Sequence, residues 1–121
     1  MSGSDTPSIQ LLDLEDFITG TATRTAKYEG ERYGANTSFF LVDNSPGQGP
    51  GLHWHPYPET WVVLEGNVEF VAGDERFEAT AGHITTVPAE LPHKFTNLGP
   101  GTLRMFCIHP SPTIIQHELE Q

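Results

Sequence analysis

His53 and His55 stand two residues apart, and Glu59 follows four residues after the second. On an extended strand, side chains at i and i+2 point to the same face. A strand through His53-Trp54-His55 would therefore aim both imidazoles at one point and turn Trp54 the other way. Two neutral imidazoles and a carboxylate converging on one point form a donor set for a divalent transition metal. The competing reading of an H-x-H pair taken alone is two histidines on a wet strand face.

The surrounding residues weigh against that competing reading. Gly47 precedes His53 by six positions, and Gly66 follows Glu59 by seven. Further on, Gly82, Pro88, His93 and Asn97 form a second spaced set. Together the two sets resemble the paired motifs of the cupin superfamily, in which a glycine, an H-x-H pair, a glutamate and a second glycine are followed by a second motif of glycine, proline, histidine and asparagine. Glu90 departs from that pattern, standing where the family has a glycine. The resemblance implies a metal held by His53, His55, Glu59 and His93. Three imidazole nitrogens and one carboxylate suit Fe, Mn, Co, Ni, Cu or Zn, so the ligand set leaves the metal unnamed. Four protein ligands on an octahedral ion leave two positions for water, dioxygen or a chelating substrate.

The elements that must hold these residues read as strands. Thr37–Asp43, Leu52–His55, Glu59–Leu64, Val68–Ala72, Arg76–Thr80, Ile84–Val87, His93–Leu98 and Thr102–Ile108 are short, rich in β-branched or aromatic residues, and separated by Gly or Pro. Pro56-Tyr57-Pro58 breaks the chain between the histidine strand and the Glu59 strand, because proline cannot donate to a ladder. Only Leu11–Ile18 could pass as a helix. The pattern predicts an all-β sandwich or barrel, and the resemblance sharpens this to a cupin jelly roll, a double-stranded β-helix. Residues 1–14 are expected to form a frayed tail with an edge strand over Ile9–Leu14, and residues 15–121 the barrel.

Parity then suggests a pocket. Trp61 and Val63 share a face with Glu59, and Phe95 and Asn97 share one with His93. One of Met105 and Phe106 must also face inward. Tyr57, between two prolines beside the metal strand, is a candidate catalytic group with Glu59. Glu90 must either reshape its turn or accept a strained backbone, and its side chain reads more readily as solvated surface than as part of the pocket mouth. His83 and His117 read as surface, and Cys107 as a small buried hydrophobe. His109, at a strand end near the barrel rim, reads as a terminus residue or, less readily, as a group behind the ligands.

The 121 residues fit one domain. A formal net charge of −10 argues against nucleic acid and anionic membrane surfaces as partners. The single cysteine allows no internal disulfide. No signal-like or membrane-spanning stretch is visible, so a cytoplasmic protein is expected. The partner expected is a small organic molecule, and the resemblance suggests a homodimer formed through the N-terminal strand. Three functions follow from the resemblance. The first is an oxidoreductase of dioxygenase type acting on an O-chelating substrate. The second is a non-redox cyclase or isomerase using Zn or Ni as a Lewis acid. The third is a non-catalytic binding module.

Overall fold

The computed structural model of the chain describes residues 9–20 and 23–120. Among the described residues eleven strands are present: β1 (Ile18–Thr19), β2 (Thr25–Glu29), β3 (Ser38–Asn44), β4 (His53–Trp54), β5 (Glu59–Glu65), β6 (Asn67–Ala72), β7 (Glu75–Thr80), β8 (Ile84–Val87), β9 (His93–Asn97), β10 (Leu103–His109) and β11 (His117–Glu118). They form a six-stranded sheet in the order β1-β2-β3-β10-β5-β8 and a five-stranded sheet in the order β11-β4-β9-β6-β7, with every pairing antiparallel. This is the expected all-β jelly roll.

The long strands alternate buried and half-buried side chains, as a sheet with one face on a core must. From the larger sheet, Trp61, Val63, Leu103 and Met105 point inward. From the smaller sheet, Val68, Phe70 and Phe95 meet them. Trp61 and Phe70 stack across the gap with ring centroids 4.3 Å apart. One end of the barrel is therefore filled by large apolar side chains, and the other is left for the polar site.

Pro56-Tyr57-Pro58 does more than end β4. It carries the chain from the smaller sheet, where β4 pairs β9, to the larger one, where β5 pairs β10. The histidine pair and Glu59 thus reach the interior from opposite walls. Gly66 closes the turn into β6 at φ +97°, and a Cβ there would lie 2.4 Å from the Thr102 carbonyl oxygen. Only glycine meets both demands.

Two expectations at the N-terminal side need correction. Ile9–Asp13 carries no strand, and the edge strand is Ile18–Thr19 instead. Ile9 and Leu11 are fully exposed, so among the described residues none covers the start of the apolar run that suggested a docked strand. The helix-like stretch is only a single 3-10 turn, Leu14–Phe17, capped by the Asp13 side chain on the Glu15 N–H. Residues 1–8, 21–22 and 121 lie outside the described residues.

Candidate metal centre

β4 and β9 place His53 directly opposite His93 in the ladder. His53 and His55 are both buried with Trp54 turned outward, where it stacks on His117 at 4.2 Å. Glu59 enters from β5 and is 3% exposed. His53, His55, Glu59 and His93 each offer one ligand atom, and these four atoms lie within 4.8 Å of one another.

The hydrogen bonds behind the rings decide what faces the centre. His53 Nδ1 lies 2.7 Å from the Gly51 carbonyl, His55 Nδ1 2.8 Å from that of Ile115, and His93 Nδ1 2.8 Å from that of Leu91. A carbonyl only accepts, so each Nδ1 carries a proton and each ring turns its Nε2 toward the centre. His93 Nε2 is 2.9 Å from Glu59 Oε1, and His55 Nε2 is 3.2 Å from the same oxygen. His55 Nε2 is buried with no hydrogen-bond partner of its own. A cation at this point would take up the three nitrogens and the carboxylate together. The donor set is that of a divalent first-row metal, with the outer nitrogens already held as metal-binding histidines need.

The charge states agree. Burial lowers the His53 pKa, and the neighbouring His93 and His55 push it further down, which keeps the imidazole neutral. Burial alone would raise the Glu59 pKa, but contacts with His109, His55 and His93 outweigh it and hold the carboxyl well below its ordinary value. Burial pushes the Cys107 thiol well up, with the Glu59 carboxylate adding to the effect, so Cys107 is a neutral thiol.

A cavity of about 520 Å³ opens onto this centre, with His53 and Glu59 in its wall. Phe40, Val42, Phe95 and Cys107 give it an apolar side, and Thr19, Thr25 and Gln116 a polar one. Of the residues expected around a pocket, Phe95 lies against this cavity. Trp61, Val63 and Met105 face inward but pack in the core, where Trp61 meets the His93 ring edge-on at 5.4 Å. Asn97 is buried and donates to the carbonyls of Asn44 and Gly101 while its Oδ1 accepts from the Gly99 N–H. It therefore ties loops rather than lining the pocket. Phe106 is corrected outright: β10 alternates, Met105 takes the inner face, and Phe106 lies outside against Phe39. Glu90 accepts the backbone of the glycine it replaces, at φ +68°, with its N–H on the His55 carbonyl at 2.8 Å and its side chain exposed.

His109 is the residue that sequence reasoning undervalued. It is fully buried, its Nε2 lies 3.1 Å from Glu59 Oε2, and its Nδ1 lies 2.6 Å from the Tyr57 hydroxyl. The available signal was parity: Met105, Cys107 and His109 alternate on one face, so an inward Met105 carries an inward His109. Tyr57 does not line the cavity; burial raises its pKa, and it remains a phenol behind the ligands.

Residues 40–109 match the family profile described as the cupin domain, which is more than half of the chain. The chain belongs to that family. It is 36% identical over 81 residues to the Polyketide synthase CurC of Streptomyces cyaneus, covering 65% of this chain and 52% of that protein. It is 38% identical over 50 residues to the Melibiose operon regulatory protein of Escherichia coli K12, covering 41% of this chain and 17% of that one. The chain thus spans about half of the first relative and less than a fifth of the second. Among solved structures, the oxalate decarboxylase of Bacillus subtilis, a protein with Mn(II) centres, superposes with a TM-score of 0.76 at 21% identity, covering 84% of this chain and 29% of that one. The formate complex of the Lactobacillus farciminis oxalate decarboxylase gives 0.74 at 21% identity, with coverages of 84% and 32%. These structures establish a shared fold. The protein is a cupin whose four buried donors fit a divalent metal ion.

Proposed function

We propose that this cupin is an oxidoreductase of dioxygenase type that acts on a small organic substrate carrying two chelating oxygens. The observation behind this reading is the cavity itself. Its volume suits a small organic ligand, its wall includes His53 and Glu59, and its other faces are the apolar Phe40, Val42 and Phe95. A bound Fe or Mn ion would polarise the chelating oxygens and supply the redox partner for dioxygen. The chain's own residues seat the substrate's apolar body on Phe40, Val42 and Phe95 and exclude water there. Thr25 and Gln116 offer polar contacts to further oxygens. Glu59 stands in the cavity wall beside the substrate's seat, and Tyr57, which reaches Glu59 only through His109, supports it from behind.

The likeness to a polyketide synthase component favours a second reading, a non-redox cyclase or isomerase acting on a poly-oxygenated substrate. There a bound Zn or Ni ion would act as a Lewis acid on a carbonyl, and Glu59, Tyr57 or a metal-bound hydroxide would move the proton. A binding module without catalysis ranks third. Residence in the cytoplasm and pairing as a homodimer belong to the same proposal, the latter supported by the fully exposed apolar side chains of Ile9 and Leu11.

The test is elemental analysis of protein purified without added metal or chelator, followed by oxygen uptake with a 1,3-diketone and a catechol as probes. Near one equivalent of Fe or Mn, with uptake that vanishes in a His53→Ala/His93→Ala double variant, supports the dioxygenase reading. Zn or Ni with no uptake moves the assignment to the second reading. A wild type that stays empty after reconstitution with each metal overturns both.

A further inference from the structure

The two oxygens of Glu59 have different neighbours. Oε1 faces His93 and His55, at 2.9 and 3.2 Å. Oε2 faces His109 Nε2 at 3.1 Å, a close contact without the alignment of a full hydrogen bond. His109 is not one of the four converging ligands. It is the last residue of β10, and Glu59 is the first of β5; both lie one position beyond the Ile108–Thr60 pair that ends the ladder between the two strands.

The proton arrangement on His109 follows from Tyr57. The Ile115 N–H donates to the Tyr57 hydroxyl at 3.0 Å. The phenol proton then has His109 Nδ1 at 2.6 Å and only a distant alternative, the Ile115 carbonyl at 3.4 Å. With the phenol donating to Nδ1, the proton of a neutral His109 sits on Nε2 and faces Oε2. The opposite tautomer would set a lone pair against a carboxylate oxygen. Phe40 covers the His109 ring edge-on at 5.7 Å and His55 does so at 4.5 Å, so the ring has little room to turn away.

We propose that His109, oriented by Tyr57, is a positioning residue that occupies Oε2 and holds Glu59 as a one-oxygen ligand. The inference rests on the metal-centre reading above. A carboxylate free to rotate can grip an ion with both oxygens, and so fill a position the substrate needs, or swing off it. With Oε2 engaged, Oε1 alone is presented among the three Nε2 atoms, and the positions toward the cavity stay open. Groups that orient metal ligands in this way typically change metal affinity by about 10–100-fold when removed.

Co(II) tests this, because its visible absorption reports coordination number and geometry apart from turnover. Wild type, His109→Ala, His109→Gln, Tyr57→Phe and His53→Ala are titrated with Co(II) by calorimetry and by absorption, with circular dichroism to check folding. We expect His109→Ala to bind Co(II) about 10–100-fold more weakly, with a spectrum shifted toward higher coordination. Tyr57→Phe should shift the spectrum in the same direction by less, and His109→Gln, which restores an N–H donor, should move it back toward wild type. A His109→Ala spectrum and affinity equal to wild type overturn the proposal. Should His109→Ala fail to fold, a Tyr57→Phe spectrum identical to wild type overturns it. Failure of the metal-centre reading looks different: wild type and His53→Ala then show the same absence of Co(II) binding.

Discussion

The ligands were legible residue by residue because metal binding constrains residue type and spacing together. Two histidines at i and i+2 need only an extended backbone to converge, and β4 supplies it. His93 needed the ladder partner of His53, which spacing alone does not reveal. His109 was harder, because a histidine at the end of a strand looks the same whether it faces in or out. Glu90 is the residue where sequence and backbone disagree most. It holds the left-handed conformation at φ +68° with an exposed side chain, a state that costs a non-glycine residue about 1–2 kcal/mol. Glu90→Gly relieves that strain and loses part of it to the greater freedom of glycine in the unfolded chain. It should therefore raise stability by up to about 1 kcal/mol in urea unfolding. A clear loss of stability would show that the Glu90 side chain makes a contribution its exposure conceals.

Among the elements, the strands were legible where alternation was long. β10 alternates in and out over all seven residues and β5 over its first five, and the expected spans fall within one residue of both strands. The N-terminal region was misread because Ile9–Leu14 has the composition of a strand but finds no partner edge; pairing is a property of the whole sheet, not of the segment. The C-terminal segment carries no long alternation, yet it reaches the site twice. The Ile115 carbonyl accepts from His55 Nδ1, and its N–H donates to Tyr57. β11 itself is two exposed residues on a sheet edge and buries little. Removing residues 113–121 should therefore leave the barrel folded by circular dichroism while weakening Co(II) binding by about tenfold or more. Unchanged affinity would mean that His55 keeps its orientation without the tail.

At the scale of the whole molecule, the metal site and the fold share one linkage. His53 and Glu59 both have folded pKa values below their ordinary 6.5 and 4.5. The unfolded chain therefore binds more protons in each of those windows, and stability must fall on acidification. The contribution of His53 is present above pH 6.5 and is lost as pH falls through its lowered value; that of Glu59 is lost further down. Urea midpoints of the metal-free protein should thus fall steadily from pH 7.5 to about pH 5, and His53→Gln should flatten the upper part of that fall. Saturating metal should raise stability by about 2.7 kcal/mol at a hundredfold excess over its Kd. A midpoint indifferent to both pH and metal would separate the site from the fold.

All three imidazoles are aimed by main-chain carbonyls, those of Gly51, Leu91 and Ile115. A point substitution can delete a side-chain partner, but every residue has a carbonyl. The cavity wall is drawn from other positions, Phe40, Val42, Phe95, Thr25 and Gln116. Aim and specificity are therefore inherited separately: the wall is free to diverge toward new substrates while the ion keeps its seat. A library randomised at Phe40, Val42 and Phe95 should retain metal in most folded members, which makes this barrel a suitable starting point for directed evolution.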